Sequence, residues 1–363
     1  MKKRCWTVIL IVTLAALGNS LPAAGAVQVQ AKGLTDPFSL LVDDVNVYWN
    51  EGVKPPRCRV SQMQKGHPGT LRVRVKAAQC WPDHPDMTQD GAFIYFPMLY
   101  RRTGDTNPTE QIARLAKAGL SQPSPLFPFF YTLPPLSPIC RDLGFPGVLD
   151  AAFGQVFFSV FDFCNSNRTE IRRVSNQGAK KKSEVALLKV HTGGRVTSVS
   201  TDSLYVYWSY QGAIRRLPRI GGNSTTLATL SGIPSSLVTP TTGAGGSMIF
   251  WLEANPRTFR VDLKRKKPGG AAGVLAGDLG LFPSLGVFAA RALAVDNKNV
   301  YFFRKVRGIN QIARVPIGGG VPVVLAKGAD VVNPMALAVD KTHVYWTDRG
   351  SGAGKGSVKR VAK

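Results

Sequence analysis

Four cysteines beyond residue 26 are the residues of this chain whose chemistry is simplest to state. They are Cys58, Cys80, Cys140 and Cys164. None of them forms a C-x-x-C pair and the four histidines are scattered, so the spacing disfavours zinc, which is kept as the alternative. In an exported chain, an even number of cysteines predicts two disulfides. Three pairings are open, and proximity in the sequence favours Cys58 with Cys80 and Cys140 with Cys164.

Runs of basic residues are the second chemical feature. The chain has 46 Lys and Arg against 22 Asp and Glu, a net charge of +24, which favours anionic partners such as lipid head groups, polyanionic glycans or nucleic acid. No nucleic-acid reader motif is present, and the export signal described below argues against that partner. Two runs are predicted to share an anion-binding rim, with an ordinary solvated face as the alternative. Their residues are Lys180, Lys181, Lys182, Lys264, Arg265, Lys266 and Lys267.

The N-terminus has the pattern of a secretory signal peptide. Residues 2–4 are basic, an apolar run extends from Trp6 to Leu17, and the small residues 24–26 follow it. Because a bilayer span needs about 20 apolar residues, we predict cleavage after Ala26 and an exported protein that is periplasmic, on the cell surface or secreted. An uncleaved membrane anchor is the alternative, and the charge is compatible with peripheral contact with a membrane.

A repeated motif organises the rest of the chain. ALAVDKTHVYWT (Ala336–Thr347) has a close relative in ALAVDNKNVYFF (Ala292–Phe303), and weaker copies lie upstream at intervals of 43 to 62 residues. Their aligned aromatic residues are Tyr48, Tyr95, Phe157, Tyr207, Phe250, Tyr301 and Tyr345. A period near 40–50 residues with four strands per unit is typical of a β-propeller. We therefore predict an all-β chain in which residues 27–363 form a single propeller of seven four-stranded blades.

The two ends of the repeat array predict how the ring closes. The last copy stops at Lys363 without an outer strand, whereas VQVQAKG (Val27–Gly33) resembles the outer-strand segment VPVVLAKG at 321–328. We expect the N-terminal strand to complete the last blade, because this pairing removes an exposed sheet edge.

The recurring residues have structural roles in this interpretation. The aromatic residues fill the space between blades, where each buries about 150–250 Å². The repeated Asp precedes a tight turn, where its carboxylate accepts backbone N–H groups. We therefore expect these residues to be building parts of the fold and not catalytic groups.

Two segments depart from the period, at about 55–90 and 97–149. The first is interpreted as a long disulfide-tied hairpin. The second contains PSPLFPFFYTLPPLSPIC, in which proline lowers the entropy cost of order. Four of its aromatic residues are candidates for binding a protein partner, with a packed loop as the alternative. They are Phe127, Phe129, Phe130 and Tyr131.

On the pattern VD-x-x-x-VYW…R-V-P-x-x-G-G, the chain resembles the YWTD-type propellers of the low-density-lipoprotein-receptor class. It is more similar to bacterial exported proteins with such repeats. The one complete copy is Tyr345-Trp346-Thr347-Asp348, and the receptor class has six blades where this chain predicts seven. The resemblance implies a propeller fold and an exported setting, but no activity.

No enzyme motif is present: neither a G-x-S-x-G elbow, nor H-E-x-x-H, nor a P-loop, nor G-x-G-x-x-G after a strand. We predict no catalytic residue, cofactor or metal site, and a non-catalytic binding or scaffold protein for an anionic cell-envelope component or a protein partner. The alternative is a hydrolase of the propeller-lactonase type, in which scattered carboxylates would hold a divalent metal in the central channel.

Overall fold

Antiparallel strands make up nearly all of the regular structure. The computed structural model describes residues 25–54, 57–79, 86–100, 109–119, 122–126, 144–162, 168–240, 248–267, 269–280 and 291–363. Within these ranges, three short 3₁₀ helices occur, at Pro68–Thr70, Lys182–Glu184 and Gly328–Asp330. Within the described ranges, no helix has the length and apolar character needed to cross a bilayer.

The strands follow one another as hairpins, in groups of four. The chain begins with β1 (Gln28–Leu34). Blade 1 contains β2 (Pro37–Val42), β3 (Asn46–Lys54), β4 (Arg57–Gln64) and β5 (Arg72–Gln79). Blade 2 contains β6 (Thr88–Gln89), β7 (Phe93–Tyr100), β8 (Thr109–Ala116) and β9 (Ser124–Pro125). Blade 3 contains β10 (Gly144–Ala152), β11 (Gln155–Asp162), β12 (Arg168–Ser175) and β13 (Ala186–His191).

The second half of the chain repeats this arrangement. Blade 4 contains β14 (Val196–Thr201), β15 (Tyr205–Tyr210), β16 (Ala213–Pro218) and β17 (Thr225–Thr229). Blade 5 contains β18 (Ile233–Val238), β19 (Ile249–Ala254), β20 (Val261–Lys266) and β21 (Ala272–Ala276). Blade 6 contains β22 (Leu293–Val295), β23 (Asn299–Val306), β24 (Ile309–Pro316) and β25 (Val323–Lys327). Blade 7 contains β26 (Pro334–Val339), β27 (His343–Asp348) and β28 (Gly356–Ala362), and β1 is its fourth strand.

These groups form a ring of seven four-stranded blades, which confirms the predicted all-β propeller. The first strand of each blade lies innermost. Because all blades have the same hairpin order, the turns after first and third strands share one face of the ring, called face 1. The turns after second strands and the linkers between blades lie on the opposite face, called face 2.

The closure of the ring also agrees with the prediction. Strand β1 pairs antiparallel with β28, with Val29 opposite Lys359 and Lys32 opposite Ser357. Leu34 at the end of β1 is 2% exposed and packs in a cluster with residues of blades 1 and 7. The first and last parts of the chain therefore share one sheet.

The core lies between the blades. All seven aligned aromatic residues are on second strands and are buried. Tryptophan follows the aligned aromatic residue in four blades, at Trp49, Trp208, Trp251 and Trp346, and each is fully buried. Full burial of one such ring stabilises the fold by about 2–3 kcal/mol, so the repeated aromatic pairs supply much of the packing that holds neighbouring blades together.

The segments predicted as irregular contain blade strands. Residues 57–64 and 72–79 are the third and fourth strands of blade 1, and Thr109–Ala116 is the third strand of blade 2. Cys58 in β4 is buried and disulfide-bonded. Cys80, Cys140 and Cys164 lie outside the described residues, as do Phe127, Phe129, Phe130 and Tyr131. The pairing of the cysteines and the partner role of these aromatic residues therefore stay predictions.

Candidate functional site

The repeated Asp and Tyr form a hydrogen-bonded pair at face 1. The Tyr345 hydroxyl donates to Asp340 over 2.9 Å, while the other oxygen of this carboxylate accepts the N–H groups of Thr342 and His343. The same pair recurs in four other blades, as Tyr48–Asp43, Tyr95–Asp90, Tyr207–Asp202 and Tyr301–Asp296. Burial together with the Asp340 hydrogen bond and charge raises the pKa of Tyr345 to about 12. Each carboxylate thus fixes a turn, as the sequence predicted, and also a tyrosine, which the sequence analysis did not predict.

Two blades have phenylalanine in place of the aligned tyrosine, and they agree with a pairing of tyrosine with aspartate. Phe157 and Phe250 have no hydroxyl, and the residue five positions earlier is Ala152 in blade 3 and Gly245 in blade 5. The aspartate is therefore missing in the two blades whose aligned aromatic residue has no hydroxyl to donate a hydrogen bond. This covariation within one chain indicates a structural role and not a catalytic one.

Acidic residues at the face 2 ends of second strands are also committed to the fold. Glu253 accepts hydrogen bonds from Trp251 Nε1 at 3.1 Å, Lys264 Nζ at 2.9 Å and the N–H of Gly232 at 3.0 Å. Glu51 accepts from Trp49 Nε1 in the same way, and Asp348 accepts the N–H of Val332. Each carboxylate fastens a second strand to groups around it, including linker backbone.

A central channel of about 280 Å³ touches every blade. The innermost strands line it mostly with aliphatic side chains, together with a smaller set of polar ones. Its charged and main polar lining residues are Asp86, Thr88, Gln89, Asp150, Ser200, Thr201, Thr239 and Arg291. A channel of this kind is the default place to look for a site in a propeller.

An ion pair crosses this channel. Arg291 Nε lies 3.0 Å from Asp86 Oδ1, although the two residues are 205 positions apart. They belong to the linkers that enter blades 6 and 2, which stand on opposite sides of the ring. Asp86 Oδ2 accepts the N–H of Leu149 at 2.9 Å. Burial raises the pKa of Asp86, and the charge of Arg291 and the Leu149 N–H offset part of that rise. The pair obstructs the face 2 end of the channel.

Asp150 is the second carboxylate of the channel. Its Oδ2 accepts the N–H and the hydroxyl of Thr201 at 2.8 and 2.9 Å, and its Oδ1 accepts the Thr88 hydroxyl at 3.1 Å. Burial raises the pKa of this carboxyl, and Arg291 with these hydroxyl groups offsets part of the rise. With three donors already bound, Asp150 links blades 2, 3 and 4 and has little free capacity to activate a substrate.

The donor set does not fit a divalent metal. Among the residues that the structure describes, no group of three or more His, Cys, Asp or Glu side chains is placed to hold an ion. The channel supplies two carboxylates, one paired with an arginine and one bound by threonines. A divalent cation requires several free oxygen or nitrogen ligands, so these residues give the lactonase alternative no support.

His191 is a buried histidine with a structural role. Its Nε2 accepts Trp208 Nε1 at 3.0 Å, and its ring stacks on Tyr210 with centroids 4.1 Å apart. Burial, with the charges of Arg215 and Lys189, lowers the pKa of His191 to about 4. It is therefore neutral near pH 7 and acts as an acceptor in the core between blades.

Arginines of third strands connect neighbouring blades. Arg114, opposite Tyr95, donates to the carbonyl of Asn176 at 3.0 Å, and Arg265, opposite Phe250, donates to that of Ile317 at 2.5 Å. Arg173 donates in the same way to the carbonyl of Arg219. Each acceptor is the first residue after the third strand of the next blade. Part of the basic surplus is thus used to hold the ring together.

The predicted anion-binding residues have different surroundings. Lys180 and Lys181 are exposed in the turn after β12, and Lys267 is exposed in the turn after β20, so these lie on face 1. Lys182 belongs to the 3₁₀ helix of the same turn as Lys180. By contrast, Lys264 pairs with Glu253, Arg265 donates to Ile317, and Lys266 donates to the carbonyl of Gly270.

Sequence reasoning missed the channel residues Asp86, Asp150 and Arg291 and an exposed group near Phe153. Asp86 and Arg291 lie outside the repeated motif, and the two partners of each contact are far apart along the chain. The one available signal was the short sequence Asp-x-Thr at Asp86 and Thr88, which on its own is too short to indicate a site.

Comparisons with known proteins show the fold. No protein-family model matches the chain, and no curated protein shows significant sequence similarity to it. An oligogalacturonate lyase in complex with manganese aligns with a TM-score of 0.58 and 8% identity over 93% of each chain. The CNH domain of AfRom2 aligns with a TM-score of 0.51 and 9% identity over 92% of this chain and 98% of that one.

A puromycin hydrolase mutant also aligns with a TM-score of 0.58 and 16% identity, over 88% of this chain. The alignment covers 50% of the hydrolase, so the chain spans half the length of that protein. At such identities the likeness shows the β-propeller fold alone. The propeller part of the sequence resemblance is thereby supported, and the YWTD-type relationship stays a prediction.

Proposed function

We propose that this protein is an exported, non-catalytic β-propeller that binds an anionic cell-envelope component through face 1. The observation that carries the proposal is an asymmetry of charge. The net charge is +24, and the repeated carboxylates described above are held by hydrogen bonds in turns, strand ends and the channel. Lysines remain exposed on other turns of face 1, so the surface field is positive.

The obstruction at the face 2 end of the channel supports binding over catalysis. Both of its carboxylates are engaged, and the Arg291–Asp86 pair obstructs its face 2 end. A surface site on the blade turns needs no such opening. This is why we place the site on face 1.

Within the predicted basic set, three residues carry the proposal best. Lys180, Lys181 and Lys267 are exposed, whereas Lys264 and Arg265 are committed to contacts inside the ring. An exposed lysine keeps its charge available to a ligand, while a paired one does not.

Binding to a soluble polyanion such as heparin tests this proposal. Because exposed charges are screened within about 10 Å at 0.1 M salt, affinity should fall steeply as salt rises. Replacing Lys180, Lys181 and Lys267 with Gln should weaken binding about a hundredfold, at roughly 1 kcal/mol for each of the three charges. The matched control replaces three exposed lysines elsewhere, namely Lys32, Lys327 and Lys355. Equal losses for the two triple variants would mean that only net charge matters and would overturn the site.

The metal-dependent hydrolase remains the alternative function, and metal content tests it. Elemental measurement of the purified protein after equilibration with Mn²⁺, Zn²⁺ or Ca²⁺ should find no stoichiometric metal. One tightly held ion per chain, lost on Asp150→Asn, would support the hydrolase. Binding of a protein partner through Phe127, Phe129, Phe130 and Tyr131 is tested by replacing these four residues with Ser.

A further inference from the structure

Three exposed apolar side chains stand together on face 1 of blades 3 and 4. Phe153, Leu204 and Ile220 are 52%, 49% and 85% exposed. Arg219 joins them: its N–H donates to the carbonyl of Leu204 at 2.9 Å, and its guanidinium lies 4.4 Å from the centre of the Phe153 ring. We call Phe153, Leu204, Arg219 and Ile220 the tip patch. Clustered apolar exposure of this kind marks an interaction surface more often than scattered single residues do.

The backbone at Phe153 supplies a second, independent observation. Ala152 pairs with Gln155, so Phe153 and Gly154 form a two-residue hairpin turn, and both have positive φ, 53° and 74°. Such a turn favours Asn-Gly, and a bulky residue in the left-handed region costs about 1–2 kcal/mol. Because Phe153 is half exposed, burial of its ring offsets little of this conformational free energy. Phe259 has a similar φ and exposure in a turn on face 2, so the strained turn at Phe153 indicates binding only together with the apolar side chains beside it.

Cations surround the tip patch. The N–H of Asn176 donates to the carbonyl of Gly154 at 2.9 Å, which fastens the turn bearing Lys180 and Lys181 to the Phe153 hairpin. Both lysines are exposed. Within these turns of blades 3 and 4, Asp202 is buried beneath the surface in its bond with Tyr207, and Glu184 is exposed. Positive charge therefore outweighs negative charge around the apolar side chains.

The combination selects one class of partner. A soluble polyanion would satisfy the lysines but would gain nothing from Ile220, whereas the head-group region of an anionic bilayer accepts both apolar side chains and cations. We propose that face 1 of blades 3 and 4 docks onto an anionic phospholipid bilayer. Phe153, Leu204 and Ile220 enter the boundary between head groups and acyl chains, and Lys180 and Lys181 approach the phosphates. This inference rests on the proposed anion binding and names its partner.

Vesicle flotation with the full chain tests the inference. The probes are vesicles of phosphatidylcholine mixed with phosphatidylglycerol, and vesicles of phosphatidylcholine alone. The informative variant is Phe153→Asn, because Asn suits this turn and preserves folding. It should reduce binding to the anionic vesicles about tenfold, the loss expected for one inserted aromatic side chain. Adding Ile220→Ser should reduce binding further.

Phe259→Asn is the matched control. Phe259 is also a phenylalanine with positive φ, 54°, and 59% exposure, but it lies in the turn after a second strand and hence on face 2. Its replacement should leave vesicle binding unchanged. A loss for Phe259→Asn that equals or exceeds the loss for Phe153→Asn overturns the orientation that we propose.

A comparison with heparin separates this inference from the proposed function. Phe153→Asn should leave heparin binding intact, whereas Lys180→Gln with Lys181→Gln should weaken binding to both heparin and anionic vesicles. One outcome is that heparin binds but the Phe153 variant floats with anionic vesicles as the wild type does. In that case the bilayer inference fails and the proposed function stands, even if the tip patch binds a protein. If neither heparin nor anionic vesicles bind, the proposed function fails.

Discussion

The guanidinium of Arg74 donates a hydrogen bond of 3.2 Å to the carbonyl of Lys117, and so bridges blades 1 and 2. Lys117 is the first residue after the third strand of blade 2. It is therefore equivalent to Asn176 and Ile317, which accept from the third-strand arginines of other blades. Blade 1 has Gln62 at the arginine position, opposite Tyr48. Arg74 on the outer strand thus replaces the missing guanidinium and also bonds the Gln62 side chain.

Because Arg74 takes the place of the third-strand arginine in blade 1, we predict that an arginine at position 62 can restore stability lost at position 74. Arg74→Ala should lower the free energy of unfolding by about 2 kcal/mol, because it removes charged hydrogen bonds to Lys117 and Ala116. Adding Gln62→Arg should restore much of the loss by supplying the repeat arginine. Urea unfolding measures both changes. Arg72→Ala, an exposed neighbour on the same strand, should change the stability by less than about 0.5 kcal/mol, and failure of the rescue would contradict the proposed equivalence.

The tyrosine–aspartate pairs predict a stability loss without any change of shape. Tyr207→Phe removes the 2.6 Å hydrogen bond to Asp202 and should cost about 2 kcal/mol, the value for a bond to a charged acceptor. Tyr205→Phe on the same strand is the matched control, because its ring stacks under Arg216 and keeps that contact without the hydroxyl. Equal losses in thermal unfolding would show that the bond to Asp202 contributes no more stability than the hydroxyl of Tyr205 does.

His191 predicts a pH dependence of stability. Its folded pKa of about 4 lies below the ordinary value of 6.5. The unfolded chain therefore binds more protons between these values, and stability falls as the pH is lowered from about 6.5 to about 4. At roughly 1.4 kcal/mol per pKa unit, the loss is about 3 kcal/mol. His191→Gln keeps an acceptor for Trp208 and should flatten this part of the curve, measured by urea unfolding at several pH values.

The control for this experiment is His67→Gln. His67 is exposed next to the first 3₁₀ helix, so its replacement should leave the pH dependence unchanged. If the free energy of unfolding of His191→Gln still falls with pH as in the wild type, the pH dependence comes from carboxylates and not from His191.

The channel ion pair predicts a coupling energy between two distant positions. Asp86→Asn and Arg291→Gln should each destabilise the protein, and a double-mutant cycle should give a coupling of about 2 kcal/mol, because the Asp86 side chain is 7% exposed and Arg291 is 26% exposed. The surface pair Lys341–Asp44, 3.7 Å apart and almost fully exposed, is the comparison and should show almost no coupling. Equal coupling energies in the two cycles would contradict a strong ion pair between Arg291 and Asp86 across the channel.

Ring closure predicts that the N-terminal strand is needed for stability. Deleting residues 27–33 removes most of β1 and exposes the edge of β28. The loss of buried apolar contacts, including those of Ala31, should cost about 3 kcal/mol or more and lower the melting temperature by several degrees. An unchanged melting temperature in calorimetry would be incompatible with this closure.

The repeat made the blade count and the closure predictable from the sequence. In five of the seven copies, the Asp of the turn and the Tyr of the second strand lie five positions apart, as Asp296 and Tyr301 do. Local hydrogen bonds and alternating burial depend on such short spacings, and the resemblance of 27–33 to 321–328 indicated the missing strand. The structural role expected for the repeated Asp followed from the same spacing.

The candidate sites were decided only in the folded ring. Arg291 meets Asp86 because the linkers into blades 6 and 2 face each other across the channel, 205 positions apart in the chain. Arg219 meets Phe153 because successive blades set turns side by side on one face. No spacing in the sequence encodes these contacts, since each depends on how whole blades pack. The sequence determined the blade and how many times it is built, while the geometry of the closed ring decided which side chains are paired inside it and which remain exposed to a partner.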